Sequence, residues 1–538
     1  MRSQFLESFM PTLLQDDDLR ANLLARLKSL PPQVREWVAS STAKVRDPQV
    51  GEEIISALIP WPELANAVVT GWQEEQRAEI ASSQATANQK IDPQALELLH
   101  RLTAQLNEAY LQKPQSEWLI VRDELYRLTL DLIPNVDNDL QATSAVGWAL
   151  GTMSRADFHL GIIGSALELS GRSLTLMQVL RETVGDQPEV LRDLSVSLDN
   201  TANVLKDLGD SQGALERYER SLLLREQVRG ILGDQPQTLR DLSISLANTA
   251  NVLKDLGDSQ GALERYERSL LLREQVRGIL GDQPQTLRDL SISLANTANV
   301  LLRLGDSQGA LERYERSLLL GEQVRGILGD QPQTLRDISV SLNKTADVLL
   351  GLGDSQGALE RYERSLLLRE QVRGILGDQP QTLRDISVSL DNTANVLLRL
   401  GDSQGALERY ERSLLLSEQV RGILGDQPQT LRDKSVSLNK TADVLLRLGD
   451  SQGALERYER SLLLSEQVRG ILGDQPQTLR DLAISHIKLS QVTIGQDKVS
   501  NLRVAKELYL QMTTKWPQFS SFQDELSAIQ GMIDAVES

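Results

Sequence analysis

The sequence predicts an all-α protein: a right-handed superhelical solenoid of stacked antiparallel helix pairs, preceded by a smaller all-α N-terminal domain. Three observations carry this. The string GDSQGALERYERSLLL begins at Gly209, Gly257, Gly305, Gly353, Gly401 and Gly449, each 48 residues after the last. The string GDQP begins at Gly185, Gly233, Gly281, Gly329, Gly377, Gly425 and Gly473 with the same step, and so halves every period. Nothing in the unit alternates apolar and polar residues as a half-buried strand does. A fixed period of this length is the mark of a stacked array.

Residues 1–137 are read as the N-terminal all-α region. Helix-like stretches lie near Gln4–Leu14, Leu19–Leu27, Gln33–Val45, Glu52–Leu58, Glu63–Ser83, Pro93–Leu111 and Glu117–Leu132. Pro31-Pro32, Pro60, the stretch Ser82–Lys90 and Pro134 break them. A helix-turn-helix within Leu19–Val45 has no basic face to support it. Residues 138–186 read as a degenerate first repeat: SALELSGRSLTLMQVL, with Ala166 48 residues before Ala214, echoes GALERYERSLLLREQV, but Ile162 stands where later copies have the capping Asp.

Residues 187–518 form the main array. In the copy Asp193–Arg240, Leu198, Thr201, Ala202, Leu205 and Leu208 share one helix face. Gly209 stops that helix, and Asp210 and Ser211 cap the next. The second helix carries Ala214, Leu215, Tyr218, Leu222 and Val228 on one stripe, with Glu216 and Arg220 at i,i+4 on the other. Gly233 ends it, and Asp234 with Pro236 opens the following helix. One hairpin cannot bury such faces, but stacked neighbours can. Gly213 and Gly230, at about 1 kcal/mol each, read as soft points of the second helix. Residues 519–538 close the array, with Phe519–Val536 as one more amphipathic helix.

Composition excludes several chemistries. The 538 residues contain no cysteine, so disulfides and thiolate sites are out, and a reducing, cytoplasmic setting is expected. His100, His159 and His486 have no ligand-spaced partners, so no metal is expected. A net charge of -18 disfavours nucleic acid and anionic membrane surfaces as partners. No apolar run has the length of a membrane span, and the first residues lack the uninterrupted apolar core of a secretory signal. No phosphate-loop, dinucleotide, zinc-protease or serine-hydrolase motif occurs, so no catalytic residue, cofactor or small-molecule substrate is expected.

The order Leu198, Thr201, Ala202, Leu205, Gly209-Asp210, Ala214, Tyr218, Ser221 resembles the tetratricopeptide repeat family. The resemblance implies small residues at Ala202, Ala214 and Ser221, where helices cross closely, and an aromatic at Tyr218 packed between hairpins. Each unit exceeds the family's usual period by the residues around Gln227–Arg240, and the usual proline after the second helix is missing inside the array. Extended units of this kind resemble the kinesin-light-chain type. The last unit returns to the short form at Ala505, Tyr509 and Pro517. The family is a scaffold, which implies protein or extended-peptide partners.

The six copies beginning at Asp193, Asp241, Asp289, Asp337, Asp385 and Asp433 differ in eight of 48 columns: those of Leu194, Val196, Asp199, Asn200, Asn203, Lys206, Asp207 and Arg225. Six of the eight point away from the core stripe of the first helix, the side that lines the groove in the resembling family. The exposed residues of the second helix do not vary except at Arg225. Two readings remain: a groove tuned copy by copy, or drift on an open face.

One variable column runs Asn203, Asn251, Asn299, Asp347, Asn395, Asp443; its neighbour runs Asn200, Asn248, Asn296, Lys344, Asn392, Lys440. An asparagine amide offers a donor and an acceptor to a peptide unit, so one ladder rung per hairpin would hold an extended segment by its backbone. Against this, asparagine is also simply a soluble residue on an open face. Lys344/Asp347 and Lys440/Asp443 either read a charged partner side chain or form i,i+3 pairs. The functional reading is therefore a non-catalytic peptide- or protein-binding scaffold. The alternatives are a regulatory or sensor arm acting on a separate protease-like or transcriptional effector, and, more remotely, an enzyme with its site in residues 1–137.

Overall fold

The computed structural model describes Val38, residues 92–110, 115–133 and 139–517, residue 519 and residues 521–537. The five N-terminal stretches from Gln4 to Ser83, including the helix-turn-helix candidate, lie outside them apart from Val38. Among the described residues the regular elements are nineteen helices, and none is a strand. They fall into two compact units that divide after Asp282.

The first unit contains α1 (Pro93–Ala109), α2 (Gln115–Leu132), α3 (Leu140–His159), α4 (Ile163–Val184), α5 (Pro188–Asp207), α6 (Ser211–Leu232), α7 (Pro236–Asp255) and α8 (Ser259–Leu280). Helices α1 and α2 share a core with the first hairpin: Leu99, Leu106, Trp118 and Leu125 pack with Ala149, Met153 and Leu176. Asp157 of α3 is fully buried and is held by Arg122 of α2 at 3.0 Å and 2.5 Å, and by Ser165 at 2.6 Å. The helix starting after Ile162 has no side-chain cap, as the missing Asp predicts.

The second unit contains α9 (Pro284–Arg303), α10 (Ser307–Leu328), α11 (Pro332–Gly351), α12 (Ser355–Leu376), α13 (Pro380–Arg399), α14 (Ser403–Leu424), α15 (Pro428–Arg447), α16 (Ser451–Leu472), α17 (Pro476–Ser490), α18 (Gly495–Lys515) and α19 (Ser521–Glu537). The six near-identical copies are thus the pairs α5/α6 to α15/α16. Helix α19 buries Phe522, Ile529 and Ile533 against Leu479, Leu502 and Met512.

Local chemistry sets these boundaries. Gly209 sits at φ 90°, where only glycine is at ease, and Asp210 N–H reaches back to Leu205 O at 2.9 Å, closing the helix C-terminus. Asp210 then caps α6 by accepting from Gly213 N–H at 2.8 Å. This corrects the reading of Gly213 as a soft point. In the next copy a Cβ on Gly261 would lie 2.3 Å from the capping carboxylate of Asp258, so the glycine makes room for the cap. No such contact surrounds Gly230.

The first helix of each copy begins earlier than its apolar stripe. Proline at the first helical position after an extended Gln187 starts α5 at Pro188, and Gln235 and Pro236 start α7 likewise. The extra residues of the period lengthen both helices and build a further packed layer. Leu239 and Leu242 are buried there with Leu222, Leu246, Leu272 and Val276. Ala202, Ala214 and Ser221 are fully buried, and Ser221 Oγ donates to Ser195 O at 3.1 Å across the close helix pair.

Candidate peptide-binding groove

The Asn203 column lies beside the tyrosine of its own hairpin. The hydroxyl of Tyr218 donates to Asn203 Oδ1 at 2.6 Å, Tyr266 to Asn251 at 2.6 Å, Tyr314 to Asn299 at 2.7 Å and Tyr410 to Asn395 at 2.5 Å. Where aspartate replaces asparagine, Tyr362 donates to Asp347 and Tyr458 to Asp443. Each tyrosine is buried, and burial pushes its hydroxyl above the usual range; Tyr314 reaches about 12. The tyrosines are therefore not packing residues alone. Each closes its own hairpin by a bond across the turn, and the amide Oδ1 already accepts one proton. The Nδ2 group is the half of each amide that this bond leaves for a ligand.

Two members of the Asn200 column, Asn200 and Lys440, face the preceding hairpin. Asn200 is 8% exposed, and a Cβ on Gly151 of α3 would lie 3.3 Å from its Nδ2. Lys440 Nζ contacts Asp391 Oδ2 of the preceding hairpin at 2.6 Å. The i,i+3 partner expected for it, Asp443, is instead held by Lys488 at 2.8 Å and 2.9 Å. Asn248, Asn296 and Asn392 are half-buried, and Lys344 is exposed.

Arg225, which from sequence stands apart on the second helix, belongs to the same face. Its guanidinium reaches across to the first helices: Nη2 to Asp199 Oδ2 at 2.6 Å, Nε to Ser195 Oγ at 3.1 Å, and Nη1 to the carbonyl of Asp241 at 2.7 Å. Burial raises the Asp199 pKa and Arg225 opposes the shift. In the fourth copy Arg369 repeats two of these bonds, to Ser339 Oγ at 3.3 Å and to the carbonyl of Asp385.

The arginine column is Arg225, Arg273, Gly321, Arg369, Ser417, Ser465. Where it has become serine, the second unit contains a cavity of about 560 Å³. Val388, Val436 and Ile484, with Val420 and Val468, form its apolar wall, and Ser417, Ser465, Asp391 and Asn439 its polar part. Its edge is set by Arg384 against Asp433 at 3.3 Å and Arg432 against Asp481 at 2.9 Å. Sequence reasoning ranked neither the valine column nor these serines as site residues. The available signal was that Arg225 alone varied on its helix.

Among the described residues no cluster of ligand-type side chains is arranged for a metal ion, and no helix is long and apolar enough to cross a membrane. No family model matches the sequence, and no curated protein matches it. Solved structures do resemble it. BtubC (BKLC) from P. vanneervenii is 19% identical, with 49% of this chain and 92% of that one covered and a TM-score of 0.38. A putative kinesin light chain from Podosopora anserina with nearly identical TPR-like repeats is 20% identical, over 44% of this chain and 98% of that one, with a TM-score of 0.34. The apo form of RapI is 11% identical, over 78% of this chain and 99% of that one, with a TM-score of 0.48. At such identities these are likenesses of fold alone. The helix pairs themselves, with their caps, small-residue crossings and period, make the chain a TPR-like repeat array.

Proposed function

We propose that this chain is a non-catalytic scaffold that holds an extended segment of a partner polypeptide along the groove face of its first helices. The observation that carries the reading is where the copies differ. Positions 196, 199, 200 and 203 share one side of the first helix and Arg225 reaches Asp199 there, while the outward charged residues of the second helix, Glu216, Glu219 and Arg220 among them, are the same in every copy. Drift has no reason to select one face, whereas a ligand lying along it does. In this reading the Nδ2 groups of Asn203 and Asn251 in the first unit, and of Asn299 and Asn395 in the second, donate to peptide carbonyls, one per hairpin, while their Oδ1 atoms stay with the tyrosines. The apolar column of Val388, Val436 and Ile484 takes side chains.

The test is selection of linear peptides from a displayed library with the full chain, scored against two variants. Val388→Lys/Val436→Lys alters the groove. Leu367→Lys/Leu415→Lys alters exposed leucines of the second helices. Peptides that lose binding to the first variant and keep it with the second support the groove. No enrichment, equal binding to all three proteins, or loss only with the leucine variant overturns it.

A further inference from the structure

We infer that the cavity between the fifth and sixth copies receives an arginine side chain of the partner segment, in the place that the chain's own arginine fills in other copies. This rests on the peptide-binding reading above and names what one subsite of it recognises.

The chain supplies its own picture of the bound state. Arg225 lies in a cleft made by a serine hydroxyl, a carboxylate and a helix carbonyl, at Ser195, Asp199 and Asp241. A guanidinium is planar and presents five donors in a fixed fork, so three acceptors around its edge recognise its shape as well as its charge. In the fifth copy the same columns are Ser387, Asp391 and the carbonyl of Asp433; in the sixth they are Ser435, Asn439 and the carbonyl of Asp481. The arginine is gone from both, replaced by Ser417 and Ser465, and the space it would take is the cavity.

The remaining groups fit a cation from outside. Asp391 Oδ2 is held by Lys440 at 2.6 Å, but its Oδ1 is buried without a hydrogen-bond partner, as is Oδ1 of Asn439. Asp199 and Asn343 carry the same orphaned oxygen. The four polar members of this column, Asp199, Asn343, Asp391 and Asn439, thus each keep an unsatisfied acceptor, whereas Ala247 and Ala295 offer none, and the serines decide which of the four hairpins have room for a ligand beside it. The hydroxyls of Ser437 and Ser485 cover the vacated carbonyls at 3.1 Å each, and those of Ser417 and Ser465 meet them at 3.2 Å and 3.1 Å. Hydroxyl protons rotate, so these groups can turn to accept from a guanidinium. The valine wall suits the methylene stem of an arginine. A chain of net charge -18 also draws a basic segment toward it.

The experiment uses the full chain and capped nine-residue peptide pools with mixed neutral flanks. The central residue is arginine, lysine, citrulline or norleucine, and binding is read by fluorescence anisotropy. Citrulline keeps the shape of arginine and removes the charge. The arginine pool should bind about tenfold or more tightly than the citrulline pool, the scale of hydrogen bonds to a charged group. Ser417→Arg/Ser465→Arg, which installs the residue found at Arg225 and Arg369, should erase that preference. Asp391→Asn, close to isosteric, should reduce the ratio of arginine-pool to norleucine-pool affinity, so the inference stands or falls even if the arginine variant misfolds. Free N-acetylarginine amide competing as well as the peptides would make this a small-molecule site and overturn the inference. Groove-bound peptides without arginine preference would overturn it and leave the scaffold reading intact. Failure of all pools, together with all library-selected peptides, would remove both.

Discussion

Arg225→Ser should cost the first copy much of its local stability, and a lysine placed one hairpin further on should restore it. The side chains of Arg225 and Asp199 are 9% and 11% exposed. Removing one partner of a buried pair typically costs 3–5 kcal/mol, and admitting groove water on one side lowers that to about 2–3 kcal/mol here. The fifth copy already has this substitution, as Asp391 with Ser417, and there Lys440 supplies the cation from the next hairpin. The equivalent of Lys440 beside Asp199 is Asn248. Arg225→Ser/Asn248→Lys should therefore recover about 1–2 kcal/mol of the loss. The residue 49 positions before Lys344 is Ala295, so Lys344→Asn should cost little while Lys440→Asn should cost more. Repeat arrays do not unfold as one unit. The measurement is hydrogen exchange of the Pro188–Asp207 and Pro236–Asp255 segments alongside urea unfolding. In the single variant the Asp199 pKa is raised in the fold with no arginine to oppose it. The folded state then binds the proton more tightly than the unfolded chain, so the deficit should shrink as pH falls. A double variant no better than the single one, or a deficit that grows on acidification, would refute the pairing logic.

Three further outcomes follow from the geometry. Tyr266→Phe should destabilise by about 1 kcal/mol through the lost bond to Asn251, and Tyr266→Phe/Asn251→Ala should be no worse than the single change; clear additivity in urea melts would count against the bond. Deleting Ser521–Glu537 uncovers Leu479, Leu502 and Met512 and should cause association in light scattering, whereas a monodisperse monomer would show that α19 is not a cap. Arg229 depresses the Asp234 pKa by hydrogen bonding, and the same pair recurs at Asp282, Asp330, Asp378, Asp426 and Asp474. Their contribution is present above the unfolded aspartate value, about 3.9, and is lost as pH falls through the depressed folded values. Asparagine at these positions should therefore flatten the fall in Tm below about pH 4, and an unchanged slope would show the pairs to be inert.

The sequence by itself determined whatever depends on neighbours along the chain. Gly209 and Gly233 end helices because positive φ is a property of one residue, and Asp210 caps because its carboxylate reaches an N–H three residues on. The period of 48 gave the stacking, since identical amphipathic hairpins have only one another to cover them. Groove composition was legible as variable columns, but not what those residues touch. The bonds that decide their roles join Tyr218 to Asn203 across 15 positions, Arg225 to Asp199 across 26, and Lys440 to Asp391 across 49. No periodicity argument fixes such pairs, because each depends on how far one helix is rotated against the next. That rotation is set by the packing of Ala202, Ala214 and Ser221 at the crossing. Tertiary structure alone therefore showed that this asparagine column is bonded to tyrosines, and brought the odd arginine of the second helix against Asp199 of the first. Where that arginine is lost in two copies, Ser417 and Ser465 line a cavity in its place.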